Sequence, residues 1–356
     1  MENKPEQDLK VSKVFNKQTI KKGLIYFLSI SILTLVGIFL YTNTGNTLEV
    51  WSKLQFHYFL LALFLLFLDL YIGAWRNHIF VRKFHPGKSQ WISFRANLAN
   101  IFMGAVTPSQ SGGGIAQFYV FYKNGITLPN AITISFMNWI STIVFFPISG
   151  LIAYEILKEN IPEGFISYLA KFGFSVFTSL MVVIIVALFF PQFIGMLIHQ
   201  LALLIGRINK KWRDKLDHWG QKAKTGLVDY RDKCKNILKN NPFLMVWSFL
   251  LTILLYMNKY FIAYILILAM DISADITVIM AIQAIIYLLL YFAPSPGGSG
   301  IAELSIAGLM AGVISESYIG TFTLLQRSFL IFIPAIIGAF VVLRELNKSE
   351  EQGVEN

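Results

Sequence analysis

The chain has 356 residues, of which 55% are hydrophobic and only 14% charged, with a mean hydropathy of +0.59. Soluble domains carry about a quarter charged residues, so this balance excludes an ordinary soluble protein. The formal net charge of +10 suits a nucleic-acid binder in size, but the basic residues lie between apolar runs, which excludes that class and fits cytoplasmic loops.

The first 23 residues are polar and carry six lysines. The apolar run 24–41 is too long for a signal-peptide core and lacks a small-x-small cleavage site, so it predicts a signal anchor. Apolar length predicts full membrane spans at 24–41, 56–76, 130–154, 166–190, 243–270 and 318–343. Two further apolar regions, 91–122 and 276–313, are each interrupted by a Pro/Gly cluster. Neither arm of either region makes a comfortable span. A re-entrant helical hairpin, entering and leaving on one side, is the expected form of both. The expected fold is therefore an all-α polytopic membrane protein with about six full spans and two re-entrant hairpins.

Segment 191–242 is strongly basic. Within it Ile208, Trp212, Leu216, Trp219, Ala223 and Leu227 recur at spacings of three and four. That stripe predicts an interfacial helix on anionic lipid, or a solvated linker helix. Residues 344–356 form a short tail. With the N-terminus in the cytoplasm, the segments expected inside (1–23, 77–90, 123–129, 191–242 and 344–356), together with Arg76 at the first boundary, hold 24 of the 30 Lys and Arg residues, and the outer loops hold only Lys53 and Lys158. This asymmetry places both termini in the cytoplasm and the chain in the cell membrane. It works only if both broken regions return to their starting side. The first hairpin then dips in from the cytoplasm and the second from outside.

At an offset of 186 residues the two breaks align. Thr107 to Gln117 read T-P-S-Q-S-G-G-G-I-A-Q, and Ala293 to Glu303 read A-P-S-P-G-G-S-G-I-A-E. Pro108, Ser109, Gly112 and Gly114 match Pro294, Ser295, Gly298 and Gly300, and an Ile-Ala pair follows in each. Matched order and opposed orientation predict an inverted repeat. Proline ends the first arm, and glycines such as Gly113 and Gly297 permit a tight turn and close approach. Each second arm then begins with amide N–H groups that lack an intrahelical partner, at the positive end of a helix dipole. Such ends bind anions, and two of them near the midplane are a transporter arrangement. Close helix packing by small residues is the structural alternative.

Asp69, Arg95, Lys259, Glu303 and Arg327 fall within apolar segments. Three cations against two anions leave one surplus positive charge, which suits an anionic headgroup. Arg95 shares the first arm with Asn97 and Asn100. Glu303 and Gln117 occupy the same repeat position, where a carboxylate serves as a cap or as a partner for Arg327. The guanidinium fork of Arg327 is expected either in an internal ion pair or on a phosphate. The one cysteine, Cys234, excludes an internal disulfide. No metal-ligand spacing and no cofactor or nucleotide motif is found.

The segment Y-F-A-P-S-P-G-G-S-G-I-A-E, with Arg327 in Q-R-S-F-L-I-F-I-P-A-I-I-G, resembles the lysylphosphatidylglycerol synthase transmembrane-domain family over about 20–345, and T-P-S-Q-S-G-G-G resembles its earlier motif. The resemblance implies a flippase-like membrane region that moves an anionic or aminoacylated phospholipid, or a polyprenyl-phosphate lipid, between leaflets, without the C-terminal synthase domain and its aminoacyl transfer. The expected partner is a membrane phospholipid or a polyprenyl-phosphate lipid. The expected headgroup site comprises Arg95, Asn97, Pro108, Ser109, Gly112, Gly113, Gly114, Gln117, Lys259, Pro294, Ser295, Gly297, Gly298, Gly300, Glu303 and Arg327. A channel or small-anion carrier is the alternative, since opposed half-helices also build pores. A lipid-phosphate enzyme is less favoured, because P-S-Q-S-G lacks the histidine of the lipid-phosphatase P-S-G-H. The substrate lipid, the energy source and a homo-oligomer stay open.

Overall fold

The computed structural model describes residues 17–41, 52, 54–158, 239–291 and 293–354, with isolated positions between 174 and 200. The described residues contain helices and no strand. The expected span 166–190 and the basic stripe of segment 191–242 lie outside this description.

Among the described residues ten helices follow in order: α1 (Lys17–Tyr41), α2 (Phe56–Phe84), α3 (Gln90–Val106), α4 (Ser111–Lys123), α5 (Leu128–Leu157), α6 (Pro242–Ala269), α7 (Ile276–Tyr291), α8 (Ile301–Met310), α9 (Glu316–Arg327) and α10 (Ile333–Val354). A π-helical turn, Ser328–Phe332, joins the last two into one rod. Pro334 has no N–H for the preceding turn, and the helix widens just before it. Five of these elements are long and apolar enough to cross a membrane: α1, α2, α5, α6 and the α9–α10 rod.

Both broken regions fold as helix–loop–helix units. α3 packs along α4, and α7 packs against α8. The chain enters α3 through Ser89, whose hydroxyl accepts the Trp91 amide at 3.2 Å. It enters α7 through Asp275, whose carboxylate accepts the Thr277 amide at 2.7 Å and the Val278 amide at 3.3 Å. Those two bonds hold the Asp275 carboxyl below its ordinary range.

α2 and α6 form the tightest central pair, with α5 and α7 on one flank and α3 and α10 on the other. The approach of α2 to α3 depends on Gly73, where a β-carbon would sit 2.7 Å from the Asn97 amide nitrogen. The two breaks touch each other through an antiparallel bridge between Pro108 and Pro296. The first break, Pro108 to Ser111, is exposed, whereas the second is largely buried. α1 lies over the second break: the Ser31 and Ser299 hydroxyls meet at 2.7 Å.

Hydropathy underestimates α2. The apolar run ends near Arg76, but the helix continues to Phe84, carrying Arg76 and Asn77 into the bundle. The expected polar loop 77–90 is helical over most of its length, because α2 packs on α3 and α6 beyond the apolar stretch.

Candidate functional site

Two adjoining cavities lie among the helices, of about 200 Å³ and about 490 Å³, each with a mixed polar and apolar lining. Gly73, Arg76, Asn97, Asn100, Gln110, Leu255, Tyr256 and Tyr291 line both, so they form one continuous site. The smaller part adds Asp69, Lys259, Tyr287 and Gly297. The larger part adds Ser109, Gln117, Phe136, Asn138 and Trp139.

Helical spacing explains the convergence. Asp69, Gly73, Arg76 and Asn77 follow at three- and four-residue intervals on one face of α2. Asn97 and Asn100 do the same on α3, and Ser135, Asn138 and Thr142 on α5. A buried amide network ties these faces together. The Asn100 amide donates to Gln117 at 2.9 Å, and Gln117 donates to Asn77 at 2.9 Å and to Ser135 at 2.7 Å. Asn138 donates to Asn77 at 2.8 Å and accepts from Ser248 at 3.1 Å, and the Ser248 and Ser141 hydroxyls lie 2.9 Å apart. Five helices are thus pinned around the larger cavity by neutral groups.

The charges sort themselves into pairs. Lys259 meets Asp69 at 2.6 Å. Arg327 meets Glu303 at 3.0 Å, and both are almost fully buried. Arg95 forms an ion pair with Glu345 of α10 and donates to Asn124 at 2.7 Å. Arg76 is different. Its guanidinium lines both cavities and donates to the Thr252 hydroxyl at 3.3 Å, and among the described residues no carboxylate lies within ion-pair distance of it. The third cation of the expected surplus, Arg95, is thus neutralised by Glu345, and Arg76, which stood outside that count, is the cavity cation without a carboxylate partner among the described residues.

The family model for the lysylphosphatidylglycerol synthase TM region matches residues 26–338. That range holds every described residue that lines the cavities. The chain belongs to this family. It is also 22% identical over 325 residues to a "UPF0104 membrane protein" of Archaeoglobus fulgidus, covering 90% of this chain and 96% of that relative. No solved structure matches.

Of the site residues expected from sequence, Asn97, Ser109, Gly114, Gln117, Lys259 and Gly297 line the cavities of this family member. Three charged candidates do not. Arg327 donates through both terminal nitrogens to the Gly297 carbonyl, each at 3.1 Å, while its Nε faces Glu303. It holds the second break together and reaches neither cavity. Glu303 accepts the Gly300 amide at 2.7 Å and so caps α8. Arg95 is consumed by Glu345 and Asn124, away from both cavities.

The expected anion-binding amides are also engaged. In the first break the Ser111 N–H bonds the Pro108 carbonyl, Gly112 the Thr107 hydroxyl and Gly113 the Gln110 carbonyl. In the second, Gly298 bonds Ser295, Ser299 bonds Pro296 and Gly300 bonds Glu303. Buried backbone groups without water must be satisfied inside the protein, and these breaks satisfy themselves.

Packing and backbone geometry account for several other candidates. Pro108 forms the bridge to Pro296. Gly112 and Gly113 are buried, and a β-carbon on Gly113 would lie 2.8 Å from the Asn100 carbonyl oxygen. Ser295 closes the second break by donating to the Ser299 carbonyl at 2.6 Å. Pro294, Gly298 and Gly300 belong to the same turn, outside the cavity linings. Gly297 is where the turn most needs glycine: φ is +59°, and a β-carbon would lie 3.0 Å from the Ala105 carbonyl oxygen.

Arg76, Asn77 and Asn138 are cavity residues that sequence reasoning missed. The signal that could have found them is the three- and four-residue spacing of polar side chains within apolar helices.

Proposed function

We propose that this protein is a lipid flippase-like transporter of the cell membrane that carries a phospholipid or polyprenyl-phosphate headgroup between leaflets. The observation that carries this reading is Arg76, a half-buried guanidinium in a polar cavity without a carboxylate partner among the described residues. An uncompensated cation inside a membrane protein is costly, and a bidentate phosphate is its natural partner. Lys259 adds a second cation that a headgroup reaches by competing with Asp69.

The two helix–loop–helix units are, in this proposal, re-entrant hairpins of an inverted repeat. Their contact supports that. Continuing the antiparallel register of Pro108 and Pro296 by one residue sets Ser109 opposite Ser295, the pair that the 186-residue offset aligns. Strands paired antiparallel are related by a local two-fold axis, as two inverted units are. Both termini lie in the cytoplasm in this arrangement. Transport is favoured over catalysis because, among the described residues, neither cavity is lined by histidine or cysteine, and Asp69, the one lining carboxylate among them, is held by Lys259.

Vesicles reconstituted with the purified protein test the reading. Transfer of fluorescent phosphatidylglycerol to the opposite leaflet is expected to run at least about tenfold faster than in protein-free vesicles, a barrier difference of about 1.4 kcal/mol. Equal rates with and without protein contradict it. Passage of chloride or phosphate without lipid transfer would mark a small-anion pathway instead.

A further inference from the structure

The larger cavity is too neutral to be a phosphate site alone. Arg76 is its one charged lining residue among the described residues, yet its volume is about 490 Å³. Beside hydroxyl and aliphatic residues such as Ser135, Thr142, Ile132 and Leu255, two kinds of group stand out in its wall. One is the amide set of Asn77, Asn100, Gln117 and Asn138, held in place by mutual hydrogen bonds. The other is aromatic: Phe136 and Trp139, one turn apart on α5, lie with ring centroids 5.6 Å apart and planes inclined at 36°.

Each kind of wall selects chemistry. Amide side chains present a donor and an acceptor together, which matches hydroxyl groups. Their carbonyl oxygens repel a phosphate. An ammonium group has no carboxylate to meet in this part of the site, and Arg76 repels it. An aromatic face takes the C–H face of a saturated ring. Because the amides already hold one another, they need little reordering when a ligand binds, which favours affinity.

We propose that this larger pocket, lined from α2 to α7, binds a neutral polyhydroxylated ring, a glycosyl or inositol unit, joined to the phosphate that sits at Arg76. The proposal rests on the lipid-headgroup reading and narrows it to headgroups larger than glycerol.

Binding titrations of the purified full chain in detergent test this with defined probes. These are dioctanoyl phosphatidic acid, phosphatidylglycerol and phosphatidylinositol, and farnesyl phosphate with and without an attached hexose. The ring-bearing member of a series is expected to bind at least about tenfold more tightly than its ring-free counterpart, a difference of about 1.4 kcal/mol. Preference in the diacyl series points to an inositol lipid, and preference in the farnesyl series to a polyprenyl-phosphate sugar. W139L and F136L are expected to abolish the preference, and W139F to retain it. Equal affinities across both series, with R76Q weakening all of them, overturn the ring pocket and leave the lipid-phosphate reading standing. Absence of any lipid binding, or binding indifferent to R76Q, overturns both.

Discussion

Arg327→Leu is expected to destabilise the protein by about 3–5 kcal/mol, the usual cost of removing one partner from a buried ion pair. The substitution strands Glu303, which has no accessible surface, and removes both donors to the Gly297 carbonyl. Arg327→Lys keeps the charge but not the fork that spans Glu303 and Gly297, so a large part of the loss persists. Glu303→Gln is milder, because an amide oxygen still accepts the Gly300 N–H at the start of α8. Thermal unfolding in detergent checks the order, with a fall in midpoint of roughly 5 °C or more for Arg327→Leu. An unchanged midpoint would mean that Arg327 does not hold the break.

The Asp69–Lys259 pair is expected to behave as a coupled unit. The carboxylate is 5% exposed, and its Oδ1 has no hydrogen-bond partner among the described residues. Lys259→Met leaves that carboxylate without its cation, at a cost of about 3–5 kcal/mol. Asp69→Leu leaves Lys259 beside Arg76 in the same cavity, two cations with no anion between them. The double substitution removes both desolvated charges and is expected to recover most of the stability lost by either single change. A double-mutant cycle on unfolding midpoints reads the coupling. Additive losses would show that the two side chains do not sustain each other.

Much of the architecture is written in apolar length. α1, α2, α5, α6 and the α9–α10 rod coincide with runs long enough for a bilayer core, and the Pro/Gly clusters mark where the two helix–loop–helix units turn. The bond between Glu303 and the start of α8 was legible too, because a carboxylate three residues into a helix has an amide within reach. The pairing of Glu303 with Arg327 was among the expected readings, but the partner of Arg95 was not legible. Glu345 lies 250 positions from Arg95, and only the packing of α10 on α3 brings them together. Arg76 was hidden for a different reason. Hydropathy ends a span where charge begins, and a helix that continues into the bundle carries that charge inside. The pairing within the amide network was illegible for a third reason: spacing marks polar faces on single helices, but which of Asn77, Gln117, Asn138 and Ser248 meet depends on the rotation of four helices, which spacing alone does not fix.

The central claim is that Arg76 receives the phosphate of a lipid headgroup. Native mass spectrometry of the protein purified in mild detergent tests it most directly, comparing the unaltered chain with Arg76→Gln at matched folded fraction. The account predicts a phosphate-bearing lipid retained by the unaltered chain and lost from Arg76→Gln, with Arg76→Lys intermediate. Equal retention of the same lipid by all three proteins would contradict it.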